Sequence, residues 1–170
     1  PFNNNEYNFA HPALSPDEKT LYFASDMPGG YGNSDLYKVT INDDGSYGKP
    51  ENLGDKINTK ARETFPFIAS DATLYFSSDG LIGMGGLDIF KSVPDENGNY
   101  SSFHNIGAPI NSERDDFGFV ESPFKNIFFV SSNRDGGKGY DDIYKVKVKK
   151  KKKKGIIINK VIDEISKEPL

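Results

Sequence analysis

The sequence predicts an all-β fold of repeated four-stranded antiparallel sheets, and three observations carry that prediction. A strand-like block keeps returning. Leu21-Tyr22-Phe23-Ala24-Ser25-Asp26 is followed by Asp35-Leu36-Tyr37-Lys38, Leu74-Tyr75-Phe76-Ser77-Ser78-Asp79 by Asp88-Ile89-Phe90-Lys91, and Ile127-Phe128-Phe129-Val130-Ser131-Ser132 by Asp142-Ile143-Tyr144-Lys145. Leu21, Leu74 and Ile127 stand 53 residues apart. Lesser landmarks keep the period: Asn52-Leu53-Gly54 returns as Asn105-Ile106-Gly107, and Ile57-Asn58 as Ile110-Asn111. No helical periodicity runs through residues 1–148, where short apolar segments alternate with turn residues instead. A period near 50 residues marks a repeat array, and at this length one blade of a β-propeller is the natural unit. The three units fall near 9–63, 64–116 and 117–148, as part of a larger propeller.

The elements follow in order. Phe9 to Leu14 is a short apolar segment that ends at the turn Ser15-Pro16-Asp17-Glu18-Lys19, where Pro and Asp pre-set a reversal. Leu21 to Ala24 is almost continuously apolar, as a strand covered on both faces should be. Met27 to Ser34 is a Gly-rich loop, Leu36 to Ile41 a third strand, Asn42-Asp43-Asp44-Gly45 a hairpin turn, and Lys49 to Leu53 a short fourth strand. The second unit repeats this plan with Ser70-Asp71-Ala72 at its first turn and Asn97-Gly98 at its second. The third has Ser122-Pro123-Phe124-Lys125-Asn126 at the first turn, a loop from Asn133 to Tyr140, and a third strand ending near Val148. Lys149 to Lys154 is a run of lysine, expected to be a solvated linker. Residues 155–170 then start a new strand-and-turn module, so the chain is expected to be a piece of something longer.

Bulk properties exclude several functions. With no Cys there is no disulfide, thiol nucleophile or thiolate metal site. No apolar run approaches the length of a membrane-spanning helix. The net charge of -4 hides an asymmetry. Residues 145–154 hold eight Lys and no acid, whereas residues 1–144 hold 22 acids against 11 Lys and Arg. An acidic body repels phosphates, so nucleic acid is not an expected partner.

The chemistry-bearing residues read mainly as structural. Gly136-Gly137-Lys138-Gly139-Tyr140-Asp141-Asp142-Ile143 fits a calcium-binding nonapeptide, but that architecture needs the nonapeptide in tandem and it occurs here once. Asp35, Asp88 and Asp142 recur before the third strand, where a carboxylate usually accepts backbone N–H bonds and fixes a loop. His11 and His104 fall at non-equivalent positions, which argues against a shared metal site. We expect no catalytic residues, no cofactor and no metal.

The residues around these turns resemble a known family. Ser15-Pro16-Asp17-Glu18-Lys19-Thr20-Leu21-Tyr22-Phe23-Ala24-Ser25-Asp26 resembles the WD-like repeat of TolB-type propellers. Ser132-Asn133-Arg134-Asp135-Gly136-Gly137 with Asp142-Ile143-Tyr144 is closer to the repeats of OmpA-family outer-membrane proteins of Bacteroidota, a layout also met in type IX secretion. Gly155 to Leu170 is similar to the first strand and turn of a carboxypeptidase-regulatory-like β-sandwich. Asp71-Ala72-Thr73 and Pro123-Phe124-Lys125 depart from the repeat consensus, and the peptidoglycan-binding domain of that family is not among these residues. The resemblance implies a periplasmic, outer-membrane-associated scaffold whose partners are cell-envelope proteins or a peptidoglycan-linked assembly. Such a scaffold would bind protein or glycan through loops at one propeller face, where Arg62, Glu63, Arg114, Asp115, Asp116, Asn133 and Arg134 are expected. The alternative is a propeller-type glycan hydrolase or lyase using Glu63 and Asp116 on the channel face.

Overall fold

The computed structural model describes residues 5–124 and 126–148, and the expected lysine linker and the module over 155–170 lie outside the described residues. Eleven strands occur there and no helix: β1 Phe9–Leu14, β2 Thr20–Ser25, β3 Asp35–Thr40, β4 Glu51–Asn52, β5 Glu63–Ile68, β6 Leu74–Ser78, β7 Asp88–Ser92, β8 His104–Asn105, β9 Asp116–Glu121, β10 Ile127–Ser132 and β11 Asp142–Lys147. They form three antiparallel meanders, in order β1-β2-β3-β4, β5-β6-β7-β8 and β9-β10-β11. The protein is all-β.

The ladders correct one detail of the repeat. The strict period puts Ile127 with Leu74. Instead Leu21, Leu74 and Phe128 hold equivalent places, because Leu14↔Leu21, Ile68↔Leu74 and Glu121↔Phe128 are the matching pairs. Ser25↔Asp35, Ser78↔Asp88 and Ser132↔Asp142 agree. The cause is turn length. Ser15 N donates to Thr20 O and Ser122 N to Ile127 O, whereas Ala69 N reaches Thr73 O with one residue fewer. The turns absorb the change, and the strand register that fixes which side chains face the core survives it.

The apolar core lies between sheets. Strand β5 packs on β1, β2 and β3, and β9 packs on β5, β6 and β7. Side chains of β2 and β3 alternate: Tyr22, Ala24 and Leu36 face the second sheet, where they meet Ile68, Leu74, Phe76 and Phe90. Phe23, Tyr37 and Val39 form a separate cluster on the opposite face. One period later Phe67, Tyr75 and Ile89 meet Phe119, Phe128 and Val130 of the third sheet, with Tyr75 and Phe119 rings stacked 4.4 Å apart. Each fully buried side chain of this size contributes about 1.5–3 kcal/mol. Leu36 and Ile89 are fully buried by the following unit, whereas their counterpart Ile143 is 77% exposed.

Candidate functional site

The segments joining the sheets carry the recurring polar residues, and one amide organises each. Asn58 accepts from Leu36 N at 2.8 Å and donates to Leu36 O at 3.0 Å and to Asn52 Oδ1 at 2.8 Å. Asn111 does the same to Ile89 N, Ile89 O and Asn105 Oδ1, at 2.9, 2.9 and 2.8 Å. Both side chains are buried, and each answers a strand N–H that the two-residue fourth strand is too short to reach, while sharing the strand carbonyl with Leu53 N or Ile106 N.

The Asp that opens each third strand ties down the Gly-rich loop. Asp35 accepts from Tyr31 N and Gly32 N, Asp88 from Met84 N and Gly85 N, and Asp142 from Lys138 N and Gly139 N. These loops press against the junction that follows. A Cβ on Gly32 would meet the backbone of Thr59 and Ala61, and one on Gly85 would meet the backbone of Arg114. Ser34 O accepts from Glu63 N at 2.7 Å, and Leu87 O from Asp116 N at 2.6 Å. Loop and junction thus meet at one end of the stack at both sheet-to-sheet contacts.

Glu63 and Asp116 are equivalent by ladder position, pairing with Ser78 and Ser132. Both are fully buried. Glu63 accepts from Thr59 N at 2.6 Å, Thr59 Oγ1 at 2.8 Å and Ser78 Oγ at 2.6 Å. Burial pushes its carboxyl above the usual glutamate value, against the downward pull of these donors. Asp116 accepts from Ser112 N and Ser112 Oγ and holds Arg134 Nη2 at 2.5 Å. Arg134 also donates to Ser132 Oγ, Pro109 O and Ile110 O, and its guanidinium lies 4.8 Å from the centre of the Tyr144 ring.

The other expected residues sit at the rim of the same end. Arg62 N and Nε both bond the carboxylate of Asp79, at 2.7 and 2.8 Å. The ladder counterpart of Arg62 is Asp115 and not Arg114. Asp115 N donates to Asn133 Oδ1, and Asn133 Nδ2 donates back to Asp115 Oδ2. Asn8 and Asp26 repeat the arrangement in the first sheet. One geometry is thus built from Asn–Asp, Arg–Asp and Asp–Asn pairs, which is why residue identity did not reveal it. Arg114 stands one residue out of that register and pairs with Asp135 at 2.9 Å. Arg62 and Arg114 are more than half exposed, and Ser112, Glu113, Arg114, Arg134 and Asp135 line a groove of about 460 Å³.

Sequence reasoning missed a second recurring feature. Each first strand carries a bulge whose central residue has positive φ: His11 at 54°, Phe65 at 50° and Gly118 at 64°. The His11 and Phe65 rings stack 3.8 Å apart, Phe65 and Phe117 lie 5.0 Å apart, and His11 Nδ1 is 2.6 Å from Thr64 Oγ1. Burial lowers the pKa of His11. The only signal was that His11 and Phe65 differ by one turn insertion from a strict repeat, which a fixed period conceals.

Among the described residues no group of three or more His, Cys, Asp or Glu is placed to hold a metal ion, and no helix is long and apolar enough to cross a membrane. No protein-family model matches the chain, and no curated protein matches it.

Proposed function

We propose that the chain is a non-catalytic binding scaffold, made of consecutive β-propeller blades of a cell-envelope protein. It would work in the periplasm, attached to the outer membrane or to a secretion assembly such as type IX, and bind protein or glycan through the junction end of the stack. The observation that carries this reading is the repeated junction itself. Asn58 and Asn111 tie each junction to the sheet before it, Asp35 and Asp88 pin the adjoining loops, and the exposed Arg62 stands on one junction while Arg114 lines the groove at the next. Rigid loops bearing forked donors suit recognition of carboxylates and hydroxyls. Against the hydrolase or lyase alternative, Glu63 and Asp116 are buried and bonded to their own chain rather than facing a cleft.

The test is capture from a periplasmic extract and on a glycan array, comparing the natural chain with an Arg62→Ala/Arg114→Ala variant of unchanged melting temperature. Loss of a specific partner supports the rim as the binding face. Undiminished capture would place the partner elsewhere.

A further inference from the structure

Each first strand runs from a junction to a turn, so the turns lie at the opposite end of the stack from the arginine rim. There the first two units enclose a second groove, of about 560 Å³. Its floor is Ile68, Tyr22 and Tyr100, the last coming in from the β7–β8 hairpin, and its walls are the turns at Asp17 and Asp71. The floor is fixed. Tyr22 and Tyr100 are each 8% exposed and meet edge-on at 6.3 Å. The Tyr100 hydroxyl donates to Ala72 O at 2.9 Å, so the hydrogen bond between the two hydroxyls uses the proton of Tyr22. Both phenol oxygens then keep lone pairs and have no proton left to give.

The walls are held as firmly. Asp17 Oδ1 accepts from Lys19 N at 3.1 Å and Asp71 Oδ1 from Thr73 N at 3.0 Å, the same turn-closing bond in both units. Each uses one carboxylate oxygen. The charge of Asp17 is felt by Tyr22 and that of Asp71 by Tyr100, which sets both carboxylates near the floor. Among the described residues no lysine, arginine or histidine lines the groove. Lys19 is drawn away to Asp43 at 3.4 Å, and Lys91 is felt at Asp71 only behind the turn's own hydrogen bonds. The next interface does not repeat the arrangement. Phe124 stands two residues into the third turn, where the first two have Asp, and Glu121 takes the place of Ile68.

We propose that this groove binds an aliphatic diamine or polyamine. One ammonium group would pair with Asp17 and another with Asp71, while the methylene stem lies along Ile68 and the tyrosine rings. Two carboxylates on facing walls call for two positive charges, and the apolar floor between them suits the stem. Because the turns already fix both carboxylates, binding costs little side-chain freedom. The site is separate from the junction rim, so it stands or falls independently of the arginines there.

Putrescine is the probe, titrated into the full chain at low ionic strength and followed by amide and aromatic resonances in NMR. Expected are saturable shifts at Tyr22, Asp71 and Tyr100, and about fivefold weaker binding to Asp17→Asn and to Asp71→Asn. Asparagine keeps an oxygen for the turn N–H, so both variants retain the turn. Asp44→Asn removes one charge from a hairpin at the same end but outside the groove, and should bind as the natural chain does. Butylamine, with the same stem and one ammonium group, should bind about fivefold more weakly than putrescine. Equal affinity for the two amines would overturn the diamine reading. Equal weakening by Asp44→Asn would reduce binding to the general acidity of the turns and overturn the groove, as would the absence of saturable shifts.

Discussion

Asn58 and Asn111 each answer a strand N–H and a strand C=O with one buried amide. At Asn111 the carbonyl keeps a second donor, Ile106 N on Ile89 O, so removing the amide leaves one buried strand N–H unsatisfied, and Asn111→Ala is expected to destabilise the chain by about 2 kcal/mol in urea unfolding. The arginines divide by what they face. Arg134 is held by a fully buried carboxylate, and its loss strands that charge, for an expected cost of about 3 kcal/mol. Arg62→Ala breaks a pair that is open to solvent and should cost about 0–1 kcal/mol by the same measurement. Glu63 adds a pH signature. Because its folded pKa is raised, the stability it contributes is complete below the ordinary glutamate value of 4.5 and is lost as pH rises through the folded value. The melting temperature of the natural chain, relative to Glu63→Gln, should therefore fall as pH is raised above 4.5. Parallel pH profiles would show Glu63 ionised as in the unfolded chain.

The elements test the packing between units. A Cβ at Gly85 would collide with the Arg114 backbone, whereas at the equivalent Gly139 it would meet only Asp141 O at 3.5 Å, an ordinary contact. Gly85→Ala is expected to lower stability by about 2 kcal/mol, and Gly139→Ala to leave it near unchanged in thermal melts. Much of this layer was legible in the sequence. Alternating Leu-Tyr-Phe and the Asp-Gly and Asn-Gly turns announce strands and hairpins directly, and the recurring Asp that opens each third strand pins its loop as the spacing implied. What stayed hidden depends on register. A one-residue change in a turn is invisible to a fixed period, so Phe128 was masked by Ile127. The bulges at His11, Phe65 and Gly118 share a backbone shape and no side-chain chemistry. The pairs Asn8–Asp26, Arg62–Asp79 and Asp115–Asn133 put a neutral, a basic and an acidic residue at the same place while keeping the geometry.

For the whole molecule, stability comes from sheet-to-sheet interfaces in series, as expected of a repeat array. The Gly-rich loops are closed by single carboxylates on backbone N–H groups, an arrangement with too few oxygens for calcium's six to eight ligands. A chelator is therefore expected to leave the melting temperature unchanged, and a fall of several degrees would restore the calcium reading of the third loop. The position of Glu63 and Asp116 inside the stack was beyond the sequence, because the same acids at the same spacing could face a channel. Only the ladder pairs with Ser78 and Ser132, set by the bulges, turn them inward.

The facing of each sheet toward its successor has a consequence for synthesis. Tyr22, Ala24 and Leu36 are made early, but their lid of Ile68, Leu74, Phe76 and Phe90 emerges only with the following unit. A nascent chain halted just after Asn58 would hold its clamp and still show a bare apolar face to the cytosol or to a chaperone. Extension past Phe90 would cover that face. Protease protection of ribosome-bound intermediates should thus rise in steps that lag each completed meander by about one unit, rather than at the end of each sheet.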